Sequence, residues 1–441
     1  MRIVQLVPFL TYGDAVGNDV LALHQILKEF DAETRIYVQA VDTKRIDESV
    51  YSYLHELPLL DEEDVIFYHM ASGSTEMVQA LKKQRCRRYI IYHNITPPKF
   101  FSGYCEPAVI ATQQAFDDLE KLRTIVSGCL ADSEFNKNDL LKLGYDVPMA
   151  VLPIVVPFED YAAEPSEEVL SAYEGDDYVN ILFVGRIAPN KKQEDIIKSF
   201  CYYKKYVNPK SRLFLVGNWK GQETYFDRLQ RYAAALGAED IFFSGHISFR
   251  EILAYYHLAD VFLCMSEHEG FCVPLLEAMY FNIPVLAYDS TAIPYTMGGA
   301  GVVFPDKEPA KVASLIDQVV RNEKLRQTML ERQQQRLEYF SYENIAGMAR
   351  EFVSTIAEGG ELPGASLEDS RQETGVLQAA ALQAAAQVQC KEELLSFGQI
   401  PVHQQESLRH RILVRGYRAV HSLCPVFADK VKSYIKRHIL S

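Results

Sequence analysis

The sequence predicts an α/β protein built from two successive doubly wound domains and a helical C-terminal extension. Through most of the 441 residues, short β-rich apolar runs alternate with longer helix-like stretches, the pattern of parallel strands joined by right-handed crossovers. A polar, acidic segment at residues 159–177 interrupts the alternation, which then restarts. After about residue 337 the β-rich runs stop. These observations predict two Rossmann-like domains that face each other, followed by helices.

The first domain is predicted to cover residues 1–158. Its helix-like stretches include Asn18–Phe30 and Thr75–Gln84, each placed between two apolar runs. The predicted strands are Ile3–Val7, Arg35–Val38, Val65–Tyr68, Tyr89–Tyr92, Ile125–Val126 and Ala150–Leu152. Strands separated by helices favour a parallel sheet with helices on both faces.

The second domain is predicted to cover residues 178–336, after a connection that contains Pro165 and Gly175. The predicted strands are Val179–Val184, Arg212–Val216, Ile241–Phe243, Val261–Met265, Pro284–Ala287 and Gly301–Val303. Ligands of such sheets bind outside the carboxyl ends of the strands, so two facing sheets would form a cleft. Two unrelated α/β domains with independent sites remain the alternative.

The C-terminal extension is predicted to be helical and to end in a basic segment. Residues 337–357, with a helix at Tyr342–Ile356, are expected to return to the first domain, and residues 358–441 to form a spacer and a helical tail. Gln378–Leu395 is rich in Ala and Gln and is predicted to be a helix. Residues 401–441 carry eight Lys or Arg against two acids, interleaved with apolar side chains. Such an amphipathic end is expected either to contact an anionic membrane or to dock on the acidic body or a partner.

Composition excludes several classes of protein. The formal net charge of −14 argues against a general nucleic-acid binder, because neutralising phosphates needs clustered cations. The eight cysteines are scattered without a C-x-x-C pair, which favours free thiols in a reducing compartment. The first residues do not have the pattern of a signal peptide, and no window holds eighteen consecutive apolar residues. We therefore expect a cytoplasmic protein, with a peripheral position on the inner face of the plasma membrane as an open alternative.

The sharpest motif is Glu269-Gly-Phe-Cys-Val-Pro-Leu-Leu-Glu277, directly after a predicted strand. Gly270 permits a tight turn close to a ligand, and Pro274 suits the first turn of a helix. The motif therefore offers one carboxylate in a loop and another on a helix, beside a helix N-terminus that favours anions. Taken as bare spacing, the two glutamates are more typical of solvated surface acids.

A second motif, Gly185-Arg-Ile-Ala-Pro-Asn-Lys191, also follows a predicted strand. A glycine turn with two cations five residues apart suits a diphosphate, because Arg186 can bind two phosphate oxygens while Lys191 supplies a point charge. Surface cations around a loop are the alternative. A third turn, Phe243-Ser-Gly-His-Ile247, offers backbone groups that would hold a nucleobase.

The first domain contributes two candidates. Residues Tyr12-Gly13-Asp14-Ala-Val-Gly17 lie between strand one and helix one, where Rossmann folds approach phosphates, although the G-x-G-x-x-G pattern of dinucleotide binding is absent. His93 follows the fourth strand, where its side chain would face the crevice and exchange a proton near neutral pH. A structural histidine is the alternative for His93.

These motifs, in this order and spacing, resemble glycosyltransferase family 4, whose members have the GT-B fold. The resemblance rests on the two spaced motifs of the second domain. It also rests on Tyr92-His93-Asn94, Ser133-Glu-Phe-Asn136 and Leu152-Pro153, and runs from about Met1 to Phe352. It implies retaining, metal-independent transfer of a hexosyl or deoxyhexosyl unit from a nucleotide-diphosphate sugar. The acceptor would be a glycan or lipid-linked glycan, in cell-surface polysaccharide synthesis.

The resemblance also implies roles for single residues. Arg186 and Lys191 would neutralise the departing diphosphate in place of a metal, in agreement with the absence of any Asp-x-Asp sequence. Glu269 would bind donor-sugar hydroxyls, Glu277 the ribose hydroxyls, and His93 the donor sugar from the first domain. The other donor-binding residues would be Gly13, Gly185, Ile247, Gly270, Phe271, Cys272 and Val273. The family's Gly-Gly pair of the first loop is replaced here by Gly13 and Gly17 with Asp14 between them.

Two other functions remain open on the sequence alone. A related two-domain enzyme, such as a sugar-nucleotide epimerase or a phosphorylase, would share the architecture. A non-catalytic subunit that binds a nucleotide sugar or glycan within a larger assembly would share the site. A phosphorylase would reveal itself by the absorbing Schiff base of a pyridoxal cofactor, and transfer assays on variants of Lys191 and Glu269 test the non-catalytic alternative.

Overall fold

The computed structural model describes residues 1–30, 32–360, 362 and 376–402. Two parallel sheets form its framework, which confirms the predicted fold class. The first sheet has the strand order β3-β2-β1-β4-β5-β6-β7. Its strands are β1 (Arg2–Leu10), β2 (Glu33–Val41), β3 (Tyr51–Tyr53), β4 (Val65–Met70), β5 (Arg87–Tyr92), β6 (Gly128–Ala131) and β7 (Met149–Val151). All six residues of β4 are buried, as expected for a strand covered by helices on both faces.

Three of the four helices of the first domain begin close to the end of a strand and are capped by short polar side chains. They are α1 (Ala15–Leu27), α2 (Thr75–Lys83), α3 (Glu106–Leu122) and α4 (Glu134–Lys142). Asp14, Ser74 and Ser133 each accept a backbone N–H of the first turn of α1, α2 and α4, respectively. Because these caps satisfy orphan donors, they fix where each helix starts.

The second sheet repeats the topology with the order β10-β9-β8-β11-β12-β13. Its strands are β8 (Val179–Val184), β9 (Ser211–Val216), β10 (Ile241–Gly245), β11 (Val261–Cys264), β12 (Val285–Tyr288) and β13 (Val302–Phe304). Helices of this half are α5 (Glu167–Tyr173), α6 (Gln193–Tyr206), α7 (Glu223–Ala235), α8 (Phe249–Leu258), α9 (Val273–Tyr280), α10 (Ile293–Met297), α11 (Pro309–Arg321) and α12 (Glu323–Tyr339). The strand order reverses between β8 and β11, and this point lies at the ligand crevice of doubly wound sheets.

The structure corrects several predicted elements. The strand expected at Ile125–Val126 is wrong, because Ile125 closes the turn after α3 through a 2.9 Å bond to the carbonyl of Leu122. The strand that follows α3 is instead β6, whose first residue is glycine. A Cβ at Gly128 would lie 2.9 Å from the carbonyl oxygen of Pro148, so the strand packs tightly at this position. The short edge strand β3 was not predicted. The connection at residues 159–177 contains α5, which packs against α8.

The chain returns to the first domain through α13 (Tyr342–Ala357), which packs against α1. Arg350 Nε lies 2.7 Å from Glu29 Oε2, and the guanidinium of Arg87 donates to the carbonyl of Ile356. These contacts hold the end of the second half onto the face of the first sheet.

The final described segment, residues 376–402, packs against the second domain. The predicted helix at Gln378–Leu395 is shorter in the structure: α14 (Val376–Ala386) packs against α11, and the chain then leaves the helical conformation. Residues 387–402 continue along α6 and α7, and Arg228 of α7 donates to the carbonyls of Ile400 and Phe397, each at 2.8 Å. The predicted basic tail lies, from residue 403 onward, outside the described residues. Among the helices described, none has the length and apolar character of a membrane span.

Candidate active site

The two motifs of the second domain lie side by side at the carboxyl edge of its sheet. One follows β8 and the other follows β11, and these strands are neighbours. The loops are joined by the side chain and backbone of Asn190, which donates to His268 O at 3.1 Å and accepts from Glu267 N at 2.8 Å. A Cβ at Gly217 would lie 1.9 Å from the carbonyl oxygen of Gly185, so this close approach requires glycine.

Lys191 and Glu269 form the central ion pair of this edge. Lys191 Nζ lies 2.6 and 2.5 Å from the two carboxylate oxygens of Glu269. The lysine side chain is 21% exposed and the glutamate 7%, so the pair forms part of the crevice wall. Burial opposes the charge on Lys191, but the neighbouring Glu269 carboxylate outweighs it and raises the lysine pKa. The N–H of Glu269 donates to Thr291 Oγ1 at 2.9 Å and fixes the loop.

Arg186 lies on the same loop as Lys191 but is exposed. Its carbonyl accepts a 2.9 Å hydrogen bond from Gln193 Nε2, which holds the backbone. Among the residues that the structure describes, no carboxylate pairs with the Arg186 guanidinium. The two predicted diphosphate cations therefore differ, since Lys191 is held by Glu269 while Arg186 is available to a ligand.

The N-terminus of α9 completes the carboxyl edge. Its cap residue, Cys272, has φ 75° and makes no side-chain capping bond, and the first turn contains no acid. Early N–H groups of such a helix lack internal partners and attract anions. The side chain of Phe271 points away from solvent and packs edge-on against Phe340, with ring centroids 5.4 Å apart. Residues 270–273 thus offer backbone N–H groups to an anionic ligand, and Val273 is the first residue of the helix.

Glu277 is held by two tyrosines in the structure. Tyr161 Oη donates to Glu277 Oε1 at 2.9 Å, and the hydroxyl of Tyr256 donates to Oε2. Burial raises the pKa of Glu277, and the two hydroxyl donors act in the opposite direction. Tyr161 belongs to the connection between the domains, a segment that the sequence analysis treated only as a linker. A hydroxyl pair of a ligand at Glu277 would have to share or replace these tyrosine contacts.

His93 lies directly after β5, but its side chain is only 1% exposed. Its Nδ1 is 3.0 Å from Asp132 Oδ2 and its Nε2 is 2.9 Å from His69 Nδ1. Burial disfavours the charged ring, yet Asp132 raises the pKa of His93 above its ordinary value. Both ring nitrogens are thus engaged below the crevice surface, and what His93 presents to the donor loop is its backbone carbonyl.

The first and second domains touch at the glutamate motif itself. Ser133 Oγ donates to the carbonyl of Gly270 at 2.8 Å, and His268 Nε2 lies 2.7 Å from Asn94 Oδ1. A Cβ at Gly270 would lie 2.6 Å from Asn94 Cβ and 2.8 Å from His93 O. Gly270 is therefore needed for the contact between domains as well as for a turn. The motif residues Asn94 and Ser133 were part of the family resemblance but were not predicted as site residues.

In the loop between β1 and α1, the carboxylate of Asp14 lies at the N-terminus of the helix. The Asp14 carboxylate accepts the N–H of Gly17 at 2.6 Å, at the N-terminus of α1. Gly13, with φ 85°, is exposed and donates to Asn18 Oδ1 at 3.1 Å. Because a carboxylate takes the position that favours an anion, this helix end is less suited to phosphate than the N-terminus of α9.

The turn after β10 places Ile247, half-buried, on the far side of the same sheet edge. Beside it, a Cβ at Gly245 would lie 2.9 Å from the Trp219 ring. Trp219 stacks on Phe226 with ring centroids 3.9 Å apart. Trp219, which was not predicted as a site residue, gives the loop a flat aromatic wall.

Left-handed backbone conformations are concentrated around the crevice. Of the six non-glycine residues with positive φ among those described, four lie on its loops, with φ values from 45° to 75°. They are Asn94, Lys192, Cys272 and Thr291. Such backbone conformations are energetically costly for residues other than glycine, and they are found preferentially at ligand-binding and catalytic sites.

Two groups of described side chains have metal-ligand chemistry, each with ligand atoms within 4.8 Å of one another. The first is Cys264, Glu269 and Cys272, in which Glu269 is already paired with Lys191. The second is Asp19, His69 and His93, which lies beneath the crevice in the first domain. Neither group was predicted: Asp19, His69 and His93 are far apart in the chain, and the spacing of Cys264, Glu269 and Cys272 matches no metal-ligand motif.

A cleft of about 290 Å³ opens between the domains next to the Glu269 loop. Phe135 and Lys142 of α4 line it on one side, and Asp289, Ser290 and Thr291 on the other. Its walls are mostly polar, with one cation and one acid. Its contact with Thr291, which accepts from Glu269 N–H, places it beside the predicted donor-sugar position.

Residues 170–336 match the family model described as glycosyl transferases group 1. The serotype-specific mannosyltransferase WbdA of Escherichia coli is 25% identical over 204 residues, 46% of this chain and 25% of WbdA. The O-antigen chain mannosyltransferase B of Escherichia coli is 24% identical over 221 residues, 49% of this chain and 57% of that protein. The chain thus spans between a quarter and about half of the length of these relatives.

The solved structure of HepE from Anabaena in complex with UDP-glucose has the same fold. Its TM-score to this chain is 0.63 at 17% identity, over 80% of this chain and all of the HepE chain. The likeness extends over both domains, whereas the family model covers the second. The chain therefore has the GT-B fold, and its residues 170–336 are similar to the glycosyl transferases of group 1.

Proposed function

We propose that this chain is a retaining glycosyltransferase that moves a hexosyl or deoxyhexosyl unit from a nucleotide-diphosphate sugar to a glycan or lipid-linked glycan. The observation that carries the proposal is the Lys191–Glu269 ion pair at the carboxyl edge of the second sheet, beside the N-terminus of α9. Cations, a carboxylate and free N–H groups are thereby gathered at one ligand crevice. The match of residues 170–336 to group 1 glycosyl transferases supports it.

In this proposal the diphosphate binds between Arg186, Lys191 and the N-terminus of α9. The ion pair rearranges when donor enters: a phosphate oxygen replaces the Glu269 carboxylate at Lys191, and Glu269 then accepts hydrogen bonds from donor-sugar hydroxyls. The fixed cations offset the charge that develops on the leaving diphosphate, which is the task a metal performs in other transferases. The transfer step accordingly requires no metal at the diphosphate.

The nucleoside is proposed to bind along the same edge. Glu277 accepts the ribose hydroxyls while Tyr161 or Tyr256 gives up its bond, and the Ile247 turn lies against the base. Gly185 allows the backbone to approach the phosphates. His93 and Gly13 are proposed to border the donor from the first domain, His93 through its backbone at the Gly270 contact and Gly13 through its exposed turn.

Retention of configuration follows from an acceptor that attacks on the face the diphosphate leaves. The acceptor oxygen forms a bond to the anomeric carbon as the bond from that carbon to the phosphate oxygen breaks. The proton of the acceptor hydroxyl passes to the departing phosphate oxygen, so no protein nucleophile is needed. Glu269 acts here by holding the sugar, not by forming a covalent intermediate.

The acceptor is proposed to be a sugar of a growing surface polysaccharide, bound in the cleft of about 290 Å³ beside Thr291. Polar walls with aromatic Phe135 suit a saccharide. Two relatives that match the chain are named mannosyltransferases, one of them acting on O-antigen chains, which supports a surface glycan and a hexose. A cytoplasmic protein that contacts the inner face of the plasma membrane through residues 401–441 would meet a lipid-linked acceptor.

The test is a panel of nucleotide sugars, including GDP-mannose and UDP-glucose, scored for thermal stabilisation and for donor hydrolysis or transfer. With the donor that stabilises the protein, Lys191→Ala and Glu269→Ala should each lower kcat/KM by about 100-fold or more. Lys311→Ala, which removes a surface lysine paired with Asp306, serves as the matched control and should retain the wild-type rate. Undiminished transfer in both site variants would refute the roles proposed for Lys191 and Glu269. Absence of hydrolysis and transfer with every donor of the panel would refute the transferase proposal.

A further inference from the structure

A buried cluster of two histidines and two aspartates lies beneath the crevice, in the first domain. Asp19 comes from α1, His69 from β4, and His93 and Asp132 follow β5 and β6. All four residues are buried. One ligand atom from each of Asp19, His69 and His93 lies within 4.8 Å of the other two. Neither motif of the second domain reaches this cluster, and only His93 entered the proposed transfer site.

The outer hydrogen bonds of the cluster determine which ring nitrogens carry protons. His93 Nδ1 faces Asp132 Oδ2 at 3.0 Å, and His69 Nε2 faces Gln5 Oε1 at 2.8 Å. Gln5 is oriented by its amide nitrogen, which donates to Val20 O at 3.2 Å. A carboxylate and an amide oxygen are acceptors, so both of these ring nitrogens must be donors.

The inner nitrogens of the two rings consequently face each other as acceptors. His69 Nδ1 and His93 Nε2 are 2.9 Å apart in nearly parallel rings, with an interplanar angle of 8°. Two lone pairs at this separation repel unless a positive charge lies between or beside them. That charge is either a shared proton or a metal cation bound by both rings.

The charges of the cluster favour a metal cation over a shared proton. Asp19 accepts a 3.0 Å bond from Val155 N–H, and Asp132 Oδ1 has no hydrogen-bond partner within the part of the chain that is described. No lysine or arginine pairs with either carboxylate there. Two carboxylates with one shared proton would leave a net negative charge in a buried place, which is costly. A divalent cation with two neutral imidazoles makes the cluster neutral.

We propose that Asp19, His69 and His93 bind one divalent transition-metal ion, of which zinc fits best. Two imidazole nitrogens and one carboxylate oxygen are ligands that zinc and cobalt prefer over magnesium or calcium. Asp132 and Gln5 supply the outer acceptors that metal-bound histidines require. At the usual zinc–nitrogen distance of about 2.0–2.1 Å, tetrahedral geometry needs the nitrogens about 3.3 Å apart, so the rings need to separate only slightly.

The proposed ion is separate from the donor diphosphate and does not depend on the transferase proposal. It joins α1, β4 and the loop after β5 beneath Asn94 and the His93 carbonyl, where the domains touch. Its role is to hold this edge of the first sheet. Metal binding is measured here without any activity assay, so failure of either proposal leaves the other intact.

The experiment uses the full chain without an affinity tag, freed of metal, incubated with zinc chloride and desalted. Elemental analysis should find about one zinc per chain, and His69→Gln and Asp19→Asn should retain almost none. Asp132→Asn, which keeps all three ligands, should weaken zinc binding about 10–100-fold. Because it is the mildest change, Asp132→Asn tests the proposal even if the ligand variants fold poorly, which circular dichroism would show.

Two control variants separate this cluster from other zinc sites. His24→Gln removes a buried histidine of α1 that lies outside the cluster, and it should bind zinc as the wild type does. Cys272→Ser removes a thiol from the other group of metal-ligand type, and it too should keep its zinc. Cobalt substitution should give no thiolate-to-cobalt charge-transfer band. A wild-type chain without zinc, zinc retained unchanged by His69→Gln, or a thiolate band would each overturn the proposal.

Discussion

Ser133 of the first domain donates a 2.8 Å hydrogen bond to the carbonyl of Gly270 in the second. The acceptor lies inside the nine-residue glutamate motif, one residue after the carboxylate that pairs with Lys191. The same serine caps α4 by accepting the N–H of Asn136 at 3.2 Å. One hydroxyl therefore connects the start of a first-domain helix to the proposed donor loop, and the geometry of that loop depends on how closely the domains approach.

Replacing Gly270 with alanine should separate the domains at this point. The added Cβ would lie 2.6 Å from Asn94 Cβ and 2.8 Å from the His93 carbonyl, and backbone cannot move aside cheaply. We expect lower transfer activity and a larger radius of gyration by small-angle X-ray scattering. Gly347→Ala in α13 is the matched control, because no atom lies within 4 Å of its added Cβ. Equal scattering curves and rates for the two variants would contradict this expectation.

Lys191 and Glu269 should be energetically coupled. In Lys191→Met the Glu269 carboxylate, 7% exposed, loses its cation, whereas the double variant Lys191→Met/Glu269→Gln contains neither charge. We expect the single change to lower the free energy of unfolding by at most about 3 kcal/mol, after allowance for the solvent access of Lys191. The double variant should recover part of this loss. Chemical denaturation of the wild type, Lys191→Met, Glu269→Gln and the double variant gives the coupling energy, and strictly additive effects would refute it.

Tyr161→Phe should change stability and nucleotide affinity in opposite directions. The free protein loses the 2.9 Å bond to Glu277 Oε1, which leaves an acceptor oxygen unsatisfied and should cost about 1–2 kcal/mol. If Glu277 binds the ribose, the nucleoside diphosphate no longer has to displace that hydroxyl, and its Kd should fall. Thermal denaturation and calorimetric titration measure the two effects. Tyr288→Phe, at a tyrosine away from Glu277, controls for loss of a hydroxyl.

Stability should decrease between weakly acidic and alkaline pH because of Glu194. Burial raises its pKa from 4.5 to about 7, with Asp195 adding to the shift, and Lys192 and Tyr225 acting against it. The folded state then binds the proton more tightly than the unfolded state. The loss of unfolding free energy caused by ionising Glu194 is absent below pH 4.5. It grows between pH 4.5 and pH 7 and is complete above pH 7.

For Glu194 this difference amounts to at most about 3 kcal/mol by linkage. Glu194→Gln keeps an acceptor for the Tyr225 hydroxyl but removes the charge. The variant should therefore gain stability relative to the wild type at pH 8 and not at pH 5, as measured by urea unfolding at both values. A gain that is the same at both pH values would show that Glu194 does not titrate in this range.

Chelation should not abolish transfer. Because Arg186, Lys191 and the N-terminus of α9 are proposed to carry the diphosphate charge, assays in EDTA should give the rate measured in magnesium. The buried cluster of Asp19, His69 and His93 offers two imidazole nitrogens, whereas magnesium and manganese prefer oxygen ligands. Loss of transfer in EDTA that magnesium or manganese restores would contradict the metal-free step.

The sequence predicts the edge of the second sheet better than it predicts the first domain. Glycine turns and the strands before them are local signals, so Lys191 and Glu269 could be placed at neighbouring loops, and the structure brings them within 2.6 Å. The orientation of His93 is not local. Its ring points below the crevice because Asp132 and His69, 39 and 24 residues away, hold it there.

Contacts that depend on tertiary structure could not be predicted from the sequence either. Tyr161 lies in a polar connection and shows no motif, yet it reaches Glu277 across 116 residues. The strand after α3 was misplaced because apolar character favoured Ile125–Val126, while tight packing selects the small residues of β6. Hydrophobic patterns report burial, but they do not report which strand positions need small side chains.

The contact of Arg228 with Phe397 and Ile400 makes this late segment of the chain part of the second domain. Its guanidinium donates to the carbonyls of Phe397 and Ile400 and to the hydroxyl of Tyr104 in the first domain. The match to the family model ends at residue 336, yet Ile400 and Phe397 still cover the surface of α7. Any shortened protein made for crystallisation or assay should therefore extend at least to residue 402.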